Sequence, residues 1–324
     1  MSDLPNSDFA GLMFVKGHGT ENDFILYADP DGALPMDAEV AAWLADRRTG
    51  IGADGVIRAV RTTAAGEIVA NLGVDAFDAD WFMDYRNADG SIAEMCGNGA
   101  RVFVEFLRAA GLADIPDGRS ILIATRGGVR RVWCEGANYA VDLGAWTFPG
   151  GSAAAERGGD VEVSIPGGGA HRGVRVNVPN PHVVVRVQPH ELAALNLTSP
   201  PTLAPEAPDG ANIEFIAVEP VPTMLAVDGR SLREGRITMR VWERGVGETR
   251  SCGTGMTAAA IVASLGMADP PSRWRVQAPG GRVWVRFAAP SASLPTDDAG
   301  PHAILVGPAL LVHQGALIPY VPEA

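Results

Sequence analysis

Two stretches of this chain set a cysteine at the mouth of an expected helix. In Arg250-Ser251-Cys252-Gly253-Thr254-Gly255, small residues and glycines run straight into the apolar Met256-Thr257-Ala258-Ala259-Ala260-Ile261-Val262-Ala263. In Met95-Cys96-Gly97-Asn98-Gly99, the same device leads into Ala100-Arg101-Val102-Phe103-Val104-Glu105-Phe106-Leu107. The first N–H groups of a helix have no partner within it, and with the helix dipole they favour negative charge. A thiol placed there is drawn toward thiolate, and a carboxylate finds donors ready to hold it. One such cysteine reads most simply as structural, since free cysteine is among the most buried side chains. A pair in equivalent settings reads as acid–base chemistry. Inverting a stereocentre next to a carboxylate needs one base to remove the α-proton and one acid, on the far face, to return it. A thiolate and a thiol of matched pKa serve, and the N–H donors stabilise the enediolate that forms between the two steps. Cys134, alternating with its neighbours in an expected strand, reads as core.

The elements that must position these cysteines occur twice. Phe14 to Ala28 gives a turn at Gly17-His18-Gly19-Thr20-Glu21-Asn22 and a strand. Asp37 caps a helix through Leu44, and Gly50 to Ile57 is a glycine loop entering a strand. Trp81 to Arg86 is a strand closed by Asn87-Ala88-Asp89-Gly90, and the Cys96 helix follows. The second pass runs from Val174 through Asn180-Pro181-His182 to Val185. A helix with Pro189 at its first position comes next, then a loop and strand at Gly210 to Ile216, a strand at Thr238 to Arg244, and the Cys252 helix. Asn22 to Asn180 is 158 positions, Gly52 to Gly210 is 158 and Cys96 to Cys252 is 156. A duplication on that scale predicts an α+β protein of two pseudo-symmetric lobes, each a mostly antiparallel β-sheet or barrel wrapped around a central helix. The expected division is 1–142 plus 309–324, carrying Cys96, and 143–308, carrying Cys252. The last strand, Ala309 to Val321, is expected to return to the first lobe. Gly150 to Gly169, Pro200 to Gly210 and Pro290 to Gly300 are expected to be exposed loops. Pseudo-twofold lobes would bring the two thiols to one carbon from opposite sides.

Composition narrows the classes. A net charge of −12 argues against nucleic acid or an anionic membrane as partner, and no run of about 18 apolar residues suggests a membrane span. The residues from Met1 to Asp8 read as a short disordered tail. Three cysteines without a CxxC pair suit a reducing cytoplasm, and six histidines without HxH or HxxxH spacing predict no metal site. Lys16 is the single lysine, and it precedes any strand-to-helix unit. Pyridoxal phosphate needs a Schiff-base lysine, so amino-acid chemistry here is expected to proceed without a cofactor.

The motifs carry a resemblance. Gly17-His18-Gly19-Thr20-Glu21-Asn22-Asp23-Phe24, Tyr85-Arg86-Asn87-Ala88-Asp89-Gly90-Ser91, Met95 to Arg101, Asn180-Pro181-His182 and Glu243 to Gly255 resemble, in order, the motifs of diaminopimelate epimerases, in a text like that of the actinobacterial branch. The resemblance implies a cofactor-independent epimerase that interconverts LL- and meso-2,6-diaminopimelate, feeding lysine and cell-wall precursor synthesis, and a homodimer. By position, it makes Cys96 and Cys252 the acid/base pair. Gly97, Asn98, Gly253 and Thr254 then cradle the reacting carboxylate, and Asn22, Asn87, Asn180, Asn212, Glu243 and Arg244 line the substrate site. Arg244 suits the distal carboxylate through its planar fork, and His182 and Glu243 flank and tune the thiols. Without the resemblance, Asn87 reads as turn chemistry, Asn212 as a loop cap and Glu243 as half of a surface ion pair. One departure stands out. Many family members have Gln after the aspartate of the glycine loop, where this chain has Gly55, so water or a neighbour is expected to replace that contact. The alternatives are a proline racemase or hydroxyproline epimerase, which typically has histidine at the Asn98 position, a phenazine-type isomerase that lacks the cysteine pair, and a thiol redox sensor in which Cys96 and Cys252 form a disulfide.

Overall fold

Apolar alternation and glycine turns build one strand order twice. The computed structural model describes residues 9–66, 69, 72, 74–220, 223–227, 230–288 and 300–318. The chain divides into two compact units, Met1–Val141 with Pro308–Ala324, and Asp142–Gly307. The first holds β1 (Met13–Gly19), β2 (Asn22–Ala28), α1 (Ala38–Ala45), β3 (Gly55–Arg61), β4 (Trp81–Asn87), α2 (Gly97–Ala109), β5 (Ser120–Thr125), β6 (Gly128–Glu135) and half of β7 (Asn138–Ala145). The second continues with α3 (Ser152–Glu156), β8 (Val161–Ile165), β9 (Gly169–Val178), β10 (Asn180–Arg186), α4 (Pro189–Ala194), β11 (Thr202–Ala204) and β12 (Asn212–Val218). It ends with β13 (Thr223–Val227), β14 (Arg230–Glu243), β15 (Gly247–Thr249), α5 (Gly253–Ser264), β16 (Arg273–Ala278), β17 (Gly281–Ala288) and most of β18 (His302–Pro308). Strand β19 (Leu310–Ala316) pairs antiparallel with β1.

The pairings of the two units match step for step. In the first, β1–β2 is antiparallel, β2–β3 parallel, β3–β4 antiparallel, β4–β5 parallel, and β5–β6–β7 antiparallel. In the second, β9–β10, β10–β12, β12–β14, β14–β16 and β16–β17–β18 repeat that sequence of directions. The architecture is therefore α+β, mostly sheet with few helices, and it carries two parallel pairs in each unit. Each sheet wraps one helix. Helix α5 is buried from Gly253 to Ala263, as a helix that is small or apolar on every face must be. Helix α2 is buried over its first eight residues and turns Glu105 and Arg108 outward.

Local signals set the element ends. Asp37 accepts from the Val40 N–H at 2.8 Å and starts α1. Gln188 and Glu191 form a capping box around Pro189, which starts α4. Two expected loops are corrected. Gly150 to Gly169 holds α3 and β8, and Val161, Val163 and Ile165 of β8 lie in the core with Val183, Val185 and Phe215. Pro200 to Gly210 holds β11, which pairs with β8. The Val-Glu-Val-Ser-Ile alternation was hidden between glycine-rich flanks, and only its pairing with β9 and β11 makes it a strand. The expected tail from Met1 to Asp8, the expected loop from Pro290 to Ala299 and the end of the last expected strand lie outside the described residues.

Candidate active site

Cys96 is the N-cap residue of α2, with extended backbone at φ −138° and ψ 120°. The Gly99 N–H donates to its Sγ at 3.4 Å, and the Ala100 N–H donates to its carbonyl at 2.8 Å. The N–H groups of Gly97 and Asn98 thus stand at the open mouth of the helix, where an anion is favoured. Asn22, the first residue of β2, points its Oδ1 at this mouth, 3.6 Å from Cys96 Sγ and 3.4 Å from Asn98 Nδ2. The β1–β2 turn aims it there, with Thr20 and Glu21 both at positive φ, 53° and 62°. Positive φ is unusual for a β-branched residue and is the form a tight hairpin turn requires. Thr20 Oγ1 also lies 3.4 Å from Asn98 Oδ1. Beneath the mouth is Arg101, which is fully buried. It donates to Gly97 O at 3.1 Å, Asn98 Oδ1 at 2.8 Å and Pro308 O at 3.2 Å. Burial pulls its guanidinium down to about 10, while the charge of Cys96 acts in the opposite sense.

Cys252 is the N-cap of α5, at φ −125° and ψ 115°. The Met256 N–H donates to its carbonyl at 2.8 Å, as Ala100 does to Cys96. The Thr254 hydroxyl lies 3.5 Å from Sγ, and Thr257 Oγ1 donates to Gly253 O as Arg101 does to Gly97 O. Burial pushes the Cys252 thiol well above its ordinary range, and the negative charges of Glu243 and Glu214 push it the same way. The Thr254 hydroxyl and the Gly255 N–H only partly counter them. Both ring nitrogens of His182 are engaged, Nδ1 at 2.8 Å from Glu214 Oε1 and Nε2 at 3.0 Å from Asn180 Oδ1. Asn212 Oδ1 accepts from the Arg244 N–H at 3.0 Å, Arg244 Nη1 donates to Asp209 O at 2.7 Å, and the Thr249 hydroxyl donates to Glu243 Oε1. Within the first unit the structure brings together Asn22, Cys96, Gly97 and Asn98. Within the second it groups Asn180 with His182 and Asn212 with Arg244, and sets Cys252 beside Thr254 in the field of Glu243.

A charge network holds Asn22. Its Nδ2 donates to Asp54 Oδ2 at 3.0 Å, and Arg47 bridges Asp54 and Asp23 at 2.8 and 2.7 Å. The single lysine is used here, pairing with Asp23 at 2.9 Å and donating to Gly52 O. Burial raises the Asp23 carboxyl, but the hydrogen bonds and charges of Arg47 and Lys16 outweigh it and hold the group at about 2. A carboxyl with a depressed folded pKa stabilises the fold above its unfolded pKa, and that stability is lost as pH falls. Asp23→Asn is therefore expected to be less stable than the wild type near neutrality and to lose less stability between about pH 4 and pH 2. Urea midpoints across that range check it.

The sequence model described as Diaminopimelate epimerase matches residues 14–149 and 174–295 of this chain. The chain belongs to the diaminopimelate epimerase family. It is 42% identical over 306 residues to the diaminopimelate epimerase of Thermobifida fusca, covering 94% of this chain and 97% of that protein. It is 40% identical to the diaminopimelate epimerase of Streptomyces coelicolor, covering 94% of each chain, and 39% identical to that of Mycolicibacterium smegmatis, covering 95% and 98%. Two solved structures share the fold at low identity. One is a phenazine-biosynthesis PhzF-family protein from Bacillus anthracis, with TM-score 0.62, 16% identity, and 95% and 99% of the two chains covered. The other is a hydroxyproline epimerase from Agrobacterium vitis, with TM-score 0.59, 13% identity, and 96% and 92% covered.

The departure at Gly55 from the Gln of many diaminopimelate epimerases has a steric counterpart. Gly55 pairs with Asn87 across β3 and β4. A Cβ at position 55 would lie 2.5 Å from Cε2 of Tyr85 and 2.7 Å from Arg86 O. The Tyr85 ring fills that space, packs edge-on against Phe24 with centroids 5.7 Å apart, and donates its hydroxyl to Asn87 Oδ1 at 3.0 Å. Asn87 Nδ2 donates in turn to Ser91 Oγ at 3.0 Å, so both ends of its amide are held. Gly55→Gln is expected to destabilise the protein by about 1–3 kcal/mol through overpacking. Adding Tyr85→Ala should return part of that loss, a non-additivity that urea denaturation of the four proteins measures.

Sequence reasoning missed Thr20, Tyr85, Arg101 and Glu214 as site residues. Thr20, Tyr85 and Arg101 stand inside the quoted motifs, and their polar types beside those glycines and that cysteine were the available signal. Glu214 carried none, since an acidic residue two positions into an expected strand reads as its solvent face.

Proposed function

We propose that this chain is a cofactor-independent epimerase that interconverts LL- and meso-2,6-diaminopimelate, with Cys96 and Cys252 as its acid/base pair. The observation that carries the reading is the recurrence of one device in a member of this family: each unit sets a cysteine at the N-cap of its central helix, with a Gly-rich first turn behind it. One thiolate removes the α-proton and becomes a thiol. The other thiol delivers a proton to the opposite face and becomes the thiolate, so the enzyme ends one turnover with the roles exchanged and no net proton taken. Between the steps, the charge spreads into the α-carboxylate as an enediolate, for which the N–H groups of Gly97, Asn98, Gly253 and Thr254 are the donors. The elevated Cys252 thiol supports its entry into the cycle as the proton donor.

In this reading Asn22, Asn87, Asn180, Asn212, Glu243 and Arg244 bind the substrate, with the Arg244 fork on the distal carboxylate. His182 and Glu243 set the state of the thiols. The lobes are 1–142 plus 309–324 and 143–308, and the enzyme is a cytoplasmic homodimer in lysine and cell-wall precursor synthesis. The test uses reduced protein, free of added cofactor, with LL-diaminopimelate in deuterium oxide, followed by NMR. Deuterium at the α-carbon with appearance of the meso isomer is the expected result. Exchange of proline or hydroxyproline but not of diaminopimelate would transfer the chain to the racemase reading. Light scattering of the same sample checks the dimer.

A further inference from the structure

Glu214 is fully buried, and its Oε2 has no hydrogen-bond partner among the described residues. A carboxylate stripped of water and left half-satisfied is costly, so its retention needs a task. Its place in the fold is specific. Strands β10 and β12 run parallel with His182 beside Asn212 and Val184 beside Glu214, and the Glu214 side chain reaches back along the sheet to His182 Nδ1 at 2.8 Å. On its other side it lies against the first turn of α5, where a Cβ at Gly255 would collide with Oε1. Gly255 therefore lets the Cys252 helix settle onto this carboxyl group.

Hydrogen-bond accounting fixes one proton. Asn180 Oδ1, 3.0 Å from His182 Nε2, is an acceptor, so Nε2 carries hydrogen. One further proton lies between Nδ1 and Glu214 Oε1. Whether it sits on nitrogen or on oxygen, Nε2 keeps its own hydrogen. We propose that Glu214 is a positioning residue for the epimerase site, holding His182 in the Nε2–H form so that the Asn180 amide is fixed with its oxygen toward the histidine and its NH2 group left to donate to a bound acceptor such as the substrate carboxylate. The role of Asn180 toward substrate rests on the function proposed above; the state of His182 does not.

The state of His182 is read directly. In protein labelled with 15N-histidine, long-range proton–nitrogen correlation is expected to show Nε2 as the protonated nitrogen in the wild type. In Glu214→Leu, which fills the site without a proton partner, His182 is expected to populate both neutral tautomers. In Glu214→Gln, whose amide N–H can still donate to Nδ1, the Nε2–H form should persist. With diaminopimelate, Glu214→Leu is expected to raise KM by about 10-fold, with a smaller change in kcat, and Glu214→Gln to stay within about 3-fold of the wild type. A wild-type His182 with hydrogen on Nδ1 alone would overturn the proposal without recourse to any variant. So would a Glu214→Leu protein that folds and keeps both the tautomer and KM. If the wild type turns over no diaminopimelate, the functional reading falls while the tautomer result still decides the role of Glu214.

Discussion

Cys96→Ala and Cys252→Ala are each expected to lower the rate of epimerisation by about 10³-fold or more. Each removes one of the two proton-transfer groups, and inversion needs both. The double variant should be little worse than either single one, because groups that act as a unit are not additive. The two single variants should also differ in kind. A chain with one thiol left can still take an α-proton from the isomer that presents it to that thiol, and can return deuterium to the same face. Slow exchange with retention on one isomer, without the other isomer forming, is therefore the expected signature in deuterium oxide. The elevated Cys252 thiol holds its proton near neutrality, so the residual exchange left to Cys252 in Cys96→Ala should grow as pH is raised. Epimerisation at a tenth of the wild-type rate in either variant would remove that cysteine from the chemistry.

The second large effect concerns stability. Arg101→Met is expected to cost about 3–5 kcal/mol. The guanidinium donates to Gly97 O, Asn98 Oδ1 and Pro308 O from a position with no exposure at all. Methionine fills much of the volume but donates none of the three hydrogen bonds that are lost, and water cannot enter to replace them. Lysine at this position should restore little, because one ammonium group cannot span the arc that the planar fork covers. Urea denaturation gives the number, and a loss below about 1 kcal/mol would mean that the carbonyls find other donors. The variant also loosens the Asn98 amide, so the geometry about Cys96 should suffer even where the protein remains folded.

Much of the architecture could be read from local text. The offset that separates Asn22 from Asn180 and Cys96 from Cys252 announced a repeated unit, and the two units repeat their strand directions step for step. Asp37 and Pro189 marked helix starts because capping is settled within a few residues of the chain. The Gly-rich turns after Cys96 and Cys252 marked helix mouths for the same reason. The strand Val161–Ile165 is not legible locally, because its glycine-rich surroundings read as loop and its partners stand elsewhere in the chain.

By itself, then, the sequence determined the family, the repeat, and a cysteine at each helix mouth, features written in residues that are neighbours along the chain. Tertiary structure alone decided what surrounds those cysteines. The parallel pairing of β10 with β12 brings Glu214 to His182 across 32 positions, the β3–β4 register puts Tyr85 into the space over Gly55, and the end of β18 brings the Pro308 carbonyl to Arg101. A buried charge is tolerated only where its partners converge on it. That convergence is set by strand register and burial, which join residues the sequence keeps far apart.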